Sequence, residues 1–217
     1  SVNGYTAIPD TAFEQALIDL GHDDLRDGQV LTINISSVTG LIIPGAGISD
    51  LTGIECFTAL NVLACPQNQL TSLDLSQSTA LFLLECYDNQ LTSLDLSENT
   101  ALNILYCGAN QLTSLDLSQN TALQSVWCMD NQLTSLDLSQ NTAIKDFDCI
   151  GNQLECLNIK NGNNTNFIFF NANSNPNLTC IEVDDPTWAT QNWTVSGNNI
   201  DNGVTFSTNC NYPAGCF

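Results

Sequence analysis

Apolar and polar positions along this chain repeat with a period of 21 residues. The tripeptide Asn-Gln-Leu recurs without slippage at Asn68, Asn89, Asn110, Asn131 and Asn152. One period follows Leu81-x-x-Leu84-x-Cys86-x-x-Asn89-x-Leu91, and the same LxxLxLxxN pattern then runs from Leu91 to Asn99. Alternating apolar positions around Leu-x-Leu or Leu-x-Cys are typical of short strands with one buried side. The pattern predicts two short parallel strands per turn and a mainly β solenoid, with stacked asparagine ladders at the turns.

The nested double motif resembles bacterial leucine-rich-repeat proteins of the 21-residue IRREKO type. The segment ISDLTGIE from Ile48 to Glu55 resembles the internalin-like repeats of bacterial surface proteins. The pattern LTCIxVDDxxW from Leu178 to Trp188 resembles the C-terminal ends of secreted Bacteroidetes repeat proteins. The resemblance implies a leucine-rich-repeat fold and members that mostly bind different partners.

Both flanks are predicted to cap the solenoid, whose end turns otherwise expose their core. Thr11-x-x-Glu14 matches a capping box, and Gly21 is placed to end a helix over about residues 11–20. One helical face would carry Phe13, Leu17 and Leu20. Leu41-x-Ile43 precedes Leu63-x-Cys65 by 22 residues, which predicts an irregular entry turn.

We predict a single leucine-rich-repeat domain over 1–217. Its parts are an N-terminal cap (1–37), an entry repeat (38–59), five 21-residue repeats (60–164), and a degenerate last repeat with a C-terminal β cap (165–217). In the last repeat, Ile168-x-Phe170-x-x-Asn173 predicts Phe170 in the cysteine position. The bulky residues expected to close the β cap are Trp188, Trp193 and Phe206.

The ten cysteines divide into a ladder of five, four near the C-terminus, and Cys56. The ladder, predicted to be small buried thiols, comprises Cys65, Cys86, Cys107, Cys128 and Cys149. Metal binding is the alternative, although neither histidine nor CxxC accompanies them, and neighbouring strands are close enough for disulfides. Cys156 and Cys180 each directly precede a strand at an outward position, so we predict that they form a disulfide, with Cys210–Cys216 as a second pair and Cys56 unassigned. This number of cysteines suits an oxidising compartment and predicts a secreted or cell-surface protein.

The net charge of the chain indicates which kinds of partner it can bind. Arg26, Lys145 and Lys160 stand against 23 acidic residues, giving a formal net charge of -20. This balance disfavours nucleic acid and anionic membranes, and it favours solubility, divalent cations or a cationic ligand. No apolar run is long enough to predict a transmembrane segment.

The outward positions of the first strand vary between repeats, whereas the second strand reads TSLDLS in four consecutive turns. The central outward column reads Ala64, Glu85, Tyr106, Trp127, Asp148 and Phe169. The next reads Pro66, Tyr87, Gly108, Met129, Ile150 and Asn171, and a third reads Val62, Leu83, Ile104, Ser125, Asp146 and Phe167. Exposed aromatic residues on a rigid sheet are typical of recognition surfaces. The predicted ligand-binding residues are Glu85, Tyr87, Tyr106, Trp127, Met129, Asp148 and Phe169. Alternatively, a cap or another copy of the chain covers this face, or its sequence drifts without a function.

The predicted function is non-enzymatic recognition of a protein partner through this sheet, in adhesion or in host or cell interaction. Carbohydrate binding, with Tyr106, Trp127 and Phe169 stacking on sugar rings, and a structural envelope role are the alternatives. The sole histidine, His22, lies outside the repeats, and no catalytic motif occurs. No cofactor is predicted, except that calcium is a secondary possibility on a ladder formed by Asp74, Asp95, Asp116 and Asp137. Screening by water, and hydrogen bonds from Ser72, Ser93, Ser114 and Ser135, would favour simple solvation of that ladder.

Overall fold

A computed structural model describes residues 4–217 as a β solenoid whose turns stack in parallel. From the N-terminus the elements are β1 Tyr5–Ala7, α1 Thr11–Asp19, β2 Gln29–Leu31, α2 Thr32–Ile35, β3 Gly40–Ile42, β4 Val62–Ala64, β5 Leu83–Glu85, β6 Ile104–Tyr106, β7 Ser125–Trp127, β8 Ser135–Asp137, β9 Asp146–Asp148, β10 Cys156–Asn158, β11 Phe169–Asn171, β12 Cys180–Glu182, α3 Pro186–Asn192 and β13 Thr205–Ser207. Short 3₁₀ helices span Ile54–Cys56 and Asn164–Asn166.

The larger sheet has seven parallel strands in the order β11-β9-β7-β6-β5-β4-β3. Leu41 pairs with Leu63 and Leu63 with Leu84, so the entry turn joins the regular repeats in register. The middle residue of each strand points into the core, and its side chain is almost wholly buried. The predicted solenoid with stacked parallel strands is confirmed.

The smaller sheet has four strands in the order β13-β12-β10-β8 and lies in the C-terminal half. Earlier turns bury the leucines that match Leu136, such as Leu94 and Leu115, without forming a strand there. Just before those segments one backbone bond joins neighbouring turns, as from Gln90 N to Leu70 O (2.9 Å). The second sheet is therefore shorter than the repeat pattern predicts.

Buried asparagines connect one turn to the next. The Asn89 Nδ2 atom donates to the carbonyl oxygens of Cys65 and Cys86, both at 3.1 Å, while its Oδ1 accepts from the Leu70 N–H at 3.0 Å. The same pattern recurs at Asn110, Asn131 and Asn152. The second ladder, Asn99, Asn120 and Asn141, is fully buried and donates to backbone carbonyls of the preceding turn. Both asparagine ladders are scaffold, as predicted.

The N-terminal helix is present, but its predicted cap is wrong. Asp10, not Thr11, is the N-cap residue, and its carboxylate accepts from the N–H groups of Ala12 and Phe13. Glu14 is buried and accepts from the backbone N–H groups of residues 27–29. The N–H groups of residues 27–29 need a hydrogen-bond acceptor where this loop packs against the helix. Glu14 is that acceptor, so its side chain does not bond back to the N-cap residue.

The helix ends as predicted at Gly21, whose φ is +77°. Gly21 N donates to Ile18 O and His22 N donates to Leu17 O, the two bonds of a Schellman motif. Phe13 and Leu17 are buried, whereas Leu20, the C-cap residue after the last helical residue, is exposed.

The last repeat is longer than predicted. Phe170 pairs with Phe147, so it occupies the position of Leu84 rather than that of a cysteine. Ala172 is buried at the cysteine position, and Asn175 continues the asparagine ladder by donating to the carbonyl oxygens of Cys149 and Ala172. The spacing of 23 residues follows from the loop around Asn164–Asn166, whose extra residues fold against the Asp184 carboxylate. The placement of Phe170 from sequence is therefore wrong by two residues.

The C-terminal cap contains a helix as well as a strand. Asp185 caps α3 by accepting from the N–H groups of Thr187 and Trp188. Trp193 follows α3 and stacks on Phe170 with ring centroids 4.1 Å apart, and the rings of Trp188 and Phe206 also contact it. The three predicted capping residues therefore close the solenoid end, in a mixed rather than purely β cap.

The disulfide pairing predicted from sequence is wrong. The bonds are Cys156–Cys216 and Cys180–Cys210. Cys156 and Cys180 do lie on neighbouring strands, since Leu157 pairs with Ile181. The C-terminal tail, residues 208–217, folds back over these strands, and each strand cysteine bonds to a tail cysteine instead of its neighbour.

The six remaining cysteines are unpaired. Cys56 is partly exposed, and the five ladder thiols are fully buried. Burial raises the pKa of Cys65 and of Cys107 to about 12, which keeps these thiols protonated and unreactive near neutral pH.

Candidate functional site

The outward face of the seven-stranded sheet, here called the variable sheet, carries the candidate site. Glu85 pairs with Tyr106, Tyr106 with Trp127, and Trp127 with Asp148. Parallel pairing without slippage places these side chains in one column across four strands. The structure therefore places these four residues, the central part of the predicted column, side by side.

Six residues line a shallow depression of about 350 Å³, here called the aromatic depression. They are Glu85, Tyr87, Tyr106, Gly108, Trp127 and Met129. The Tyr106 and Trp127 ring centroids are 4.8 Å apart and the rings are tilted by 31°. Tyr87 is exposed, whereas the Tyr106, Trp127 and Met129 side chains are half-buried. Five of the seven binding residues predicted from sequence thus line a single concave surface.

Gly108 forms the floor of the aromatic depression because it has no side chain. A Cβ atom there would lie 2.8 Å from the Met129 sulfur, so the methionine side chain rests against the Gly108 backbone. Repeat comparison did not single out Gly108 as a site residue. The sequence does distinguish Gly108, because it is the one residue without a side chain in the outward column that runs from Pro66 to Asn171.

Asp148 is placed in the column but is poorly accessible. Its side chain is only 9% exposed, and its Oδ1 accepts from the Ile150 N–H at 3.0 Å. Burial raises the pKa of its carboxyl group, and the neighbouring Asp130 charge acts in the same direction, while hydrogen bonds from Ile150 and Asn171 oppose them. As a ligand contact Asp148 is the weakest of the predicted residues.

Phe169 lies in a different column from the one predicted. It pairs with Asp146, and Asn171 instead follows Asp148, because the last repeat is two residues longer. Phe169 is nevertheless exposed and its ring centroid is 6.5 Å from that of Trp127. It therefore borders the aromatic cluster from the side.

In the regular repeats, a residue with a left-handed backbone conformation follows each strand of the variable sheet. These residues form the rim of the candidate site. Asp88, Ala109 and Asp130 have φ values of 58°, 51° and 53°. The next turn has Gly151 at +70°, where a Cβ would lie 2.3 Å from the Asp130 Oδ1 atom. The Asp130 carboxylate can fold against the next turn because Gly151 has no side chain.

We expect Gly151→Ala to lower the free energy of unfolding by about 2 kcal/mol, from left-handed strain together with displacement of Asp130. Gly162→Ala is the matched control, since Gly162 has a φ of +77° and nothing within 4 Å of its Cβ position. The control should lose only about 1 kcal/mol. Urea unfolding followed by circular dichroism measures both, and equal losses would contradict the contact with Asp130.

The opposite face carries the aspartate ladder. The Oδ1 atoms of Asp74, Asp95, Asp116 and Asp137 accept from the backbone N–H groups of Ser76, Ser97, Ser118 and Ser139 at 2.9–3.0 Å. These bonds lower the pKa of Asp74, Asp95 and Asp116. The donors are thus the serines two residues after each aspartate, not those predicted two residues before. Within residues 4–217 no group of three or more His, Cys, Asp or Glu is arranged to hold a metal ion, and calcium on this ladder stays a prediction.

Solved structures with a similar fold come from Listeria monocytogenes. The internalin InlF structure is 18% identical with a TM-score of 0.69, and the match covers 95% of this chain and 72% of that chain. Internalin C2 is 19% identical with a TM-score of 0.61, covering 95% of this chain and 99% of that one. The fold is the internalin leucine-rich-repeat solenoid. At this identity the likeness extends to the fold alone.

The functional domain of InlJ, which includes a cysteine ladder, matches at 23% identity with a TM-score of 0.48. That match covers 82% of this chain, which spans about half, 52%, of the InlJ structure. No protein-family model and no curated protein sequence matches the chain. Across residues 4–217, no helix has the length and apolar character needed to cross a bilayer.

Proposed function

We propose that this chain is a non-enzymatic binding module of a secreted or cell-surface protein and that it recognises a protein partner through the variable sheet. The observation that carries the proposal is the aromatic depression formed by Tyr87, Tyr106 and Trp127 with Met129. Large amphipathic rings on a preformed surface supply contact area at a small entropic cost.

Rigidity supports this proposal. Each strand of the variable sheet is tied to its neighbours by parallel pairing, and each turn behind it is tied to the next by a buried asparagine. A partner would therefore meet side chains that are already ordered, which reduces the loss of conformational freedom on binding.

Differences between the two faces also support it. The outward residues change from Glu85 to Tyr106 to Trp127 along the variable sheet, while the other face repeats Thr-Ser-Leu-Asp-Leu-Ser. The scaffold requires the inward residues of both faces, but it does not require one face to vary. Selection for a particular contact surface accounts for that difference.

Catalysis is not part of the proposal because the carboxylates are poorly arranged for it. Asp146 and Asp148 flank Phe147 on one strand, and Asp148 is largely buried and bonded to the backbone. A glycosidase pair needs two carboxyl groups facing each other across a substrate cleft.

The compartment is proposed from the cysteines. Two disulfides hold the C-terminal tail, and such bonds persist in oxidising surroundings. Secretion or display on a bacterial surface, and an origin among Bacteroidetes-type proteins with IRREKO repeats, remain part of this proposal.

The function is tested by selecting peptides from a displayed random library on the wild-type chain. We expect the selected peptides to lose at least about thirtyfold in affinity for Trp127→Ala, since truncating a central interface aromatic costs about 2 kcal/mol. Tyr5→Ala is the matched control, because Tyr5 is an exposed tyrosine in the N-terminal cap outside the variable sheet.

Biolayer interferometry measures the affinities, and circular dichroism confirms that each variant is folded. Peptides that bind Trp127→Ala as tightly as the wild type would contradict recognition through this sheet. A glycan array run in parallel tests the carbohydrate alternative. That alternative requires that the wild type binds a glycan, that Trp127→Ala abolishes this binding, and that the library yields no binding peptides.

A further inference from the structure

We infer that the aromatic depression accepts a basic side chain, arginine or lysine, of the partner. This inference rests on the proposed function and specifies the chemistry of the contact: the cation would lie over the Tyr106 and Trp127 rings and pair with Glu85.

The geometry fits a cation. Two rings 4.8 Å apart form one wall, and Glu85 lies beside Tyr106 on the neighbouring strand. A guanidinium or ammonium group within about 6 Å of a ring centroid is attracted by the negative face of the ring, most strongly for tryptophan. A carboxylate in the same depression adds a charge-assisted hydrogen bond.

The surrounding charge also fits a cation. Beyond Glu85, exposed Asp88 and Asp130 lie on the turns that follow Tyr87 and Met129, and no basic residue lines the depression. Lys145, the nearest basic residue in sequence, directly precedes β9 and lies on the other side of the central column. With a net charge of -20 the chain repels acidic ligands and attracts basic ones.

A sugar ring fits less well. The Tyr106 and Trp127 rings are half-buried against each other and tilted by 31°, so they do not form one flat platform. The Trp127 Nε1 atom is buried, and no described residue accepts a hydrogen bond from it. The Trp127 N–H is therefore not available to bond a sugar hydroxyl.

Met129 provides a direct test because it is the only methionine in the chain. With ¹³C-methyl-methionine labelling, its NMR signal reports occupancy of the depression during titration with N-acetyl-arginine methylamide or N-acetyl-lysine methylamide. N-acetyl-citrulline methylamide is the neutral probe, nearly identical in shape to the arginine compound. We expect a saturable shift with both basic probes and at least about tenfold weaker binding of citrulline.

Two variants separate the depression from general acidity. Glu85→Gln should weaken arginine binding about fivefold. Asp95→Asn removes the same charge from the exposed opposite face and should change the affinity less than about twofold.

Equal affinity for the citrulline and arginine probes would overturn cation recognition. Equal losses of arginine affinity in Glu85→Gln and Asp95→Asn would also overturn it, as would a shift of the Met129 signal with methyl glucoside but not with the arginine probe. These results leave the proposed function standing if library peptides still depend on Trp127. If the peptides do not depend on Trp127 either, the proposed function fails as well.

Discussion

Replacing Asn110 by leucine should lower the free energy of unfolding by about 3–5 kcal/mol. The Asn110 Nδ2 atom donates to the carbonyl oxygens of Cys86, Cys107 and Gly108 at 3.0–3.2 Å, and its Oδ1 accepts from the Leu91 N–H at 2.9 Å. Leucine has a similar size and satisfies none of these buried groups. Each unsatisfied backbone group costs about 1–3 kcal/mol.

Asn103→Leu is the matched control for that substitution. Asn103 belongs to the same repeat and is half-buried, and its side chain makes one bond, from Nδ2 to Ala122 O at 2.8 Å. Its loss should cost only about 1 kcal/mol. Urea unfolding of the two variants under identical conditions gives the comparison, and a similar cost for both would contradict the structural importance of the ladder.

Removing the outer disulfide by the double substitution Cys156→Ala and Cys216→Ala should destabilise the C-terminal region by about 4 kcal/mol. The two cysteines are 60 residues apart, but the inner Cys180–Cys210 bond is kept and shortens the loop that the outer bond closes to about half that length, which restricts the unfolded chain by about this amount. Replacing both partners leaves no new free thiol. The single substitution Cys56→Ser is the control, because Cys56 is unpaired and its loss should change stability little.

Hydrogen exchange locates the effect of the disulfide. The Tyr212 hydroxyl accepts from the N–H groups of Leu157 and Glu182 at 3.2 and 3.1 Å and donates to the Leu157 carbonyl, so the tail bridges β10 and β12. Amides of β10, β12 and β13 should lose protection in the double variant, while β4 to β7 keep theirs, because each turn contacts only its neighbours. Uniform loss along the chain, or mass spectrometry that detects Cys156 bonded to Cys180, would contradict this account.

The binding residues illustrate how far repeat comparison reaches. Glu85, Tyr106 and Trp127 could be aligned from sequence because three repeats of equal length have the same register. Phe169 could not, because two extra residues before it shift the register of the last turn, and the loop around Asn164–Asn166 that holds them does not follow the repeat pattern. The accessibility of Asp148 was equally unpredictable, since it depends on neighbouring turns and on the bond to Ile150 N.

The sequence by itself determined the turn length, the buried thiols, the asparagine ladders and the column that holds Tyr106 and Trp127. These features recur in every period, because each repeat has the same alternation of buried and exposed residues along its strand and the same hydrogen bonds at its turn. The tertiary structure alone decided the disulfide partners, the extent of the second sheet and the concavity around Gly108. The pairing depends on a tail that crosses strands distant in sequence. The concavity depends on Met129 of the next turn resting against Gly108, and the sequence marks the glycine but not this contact.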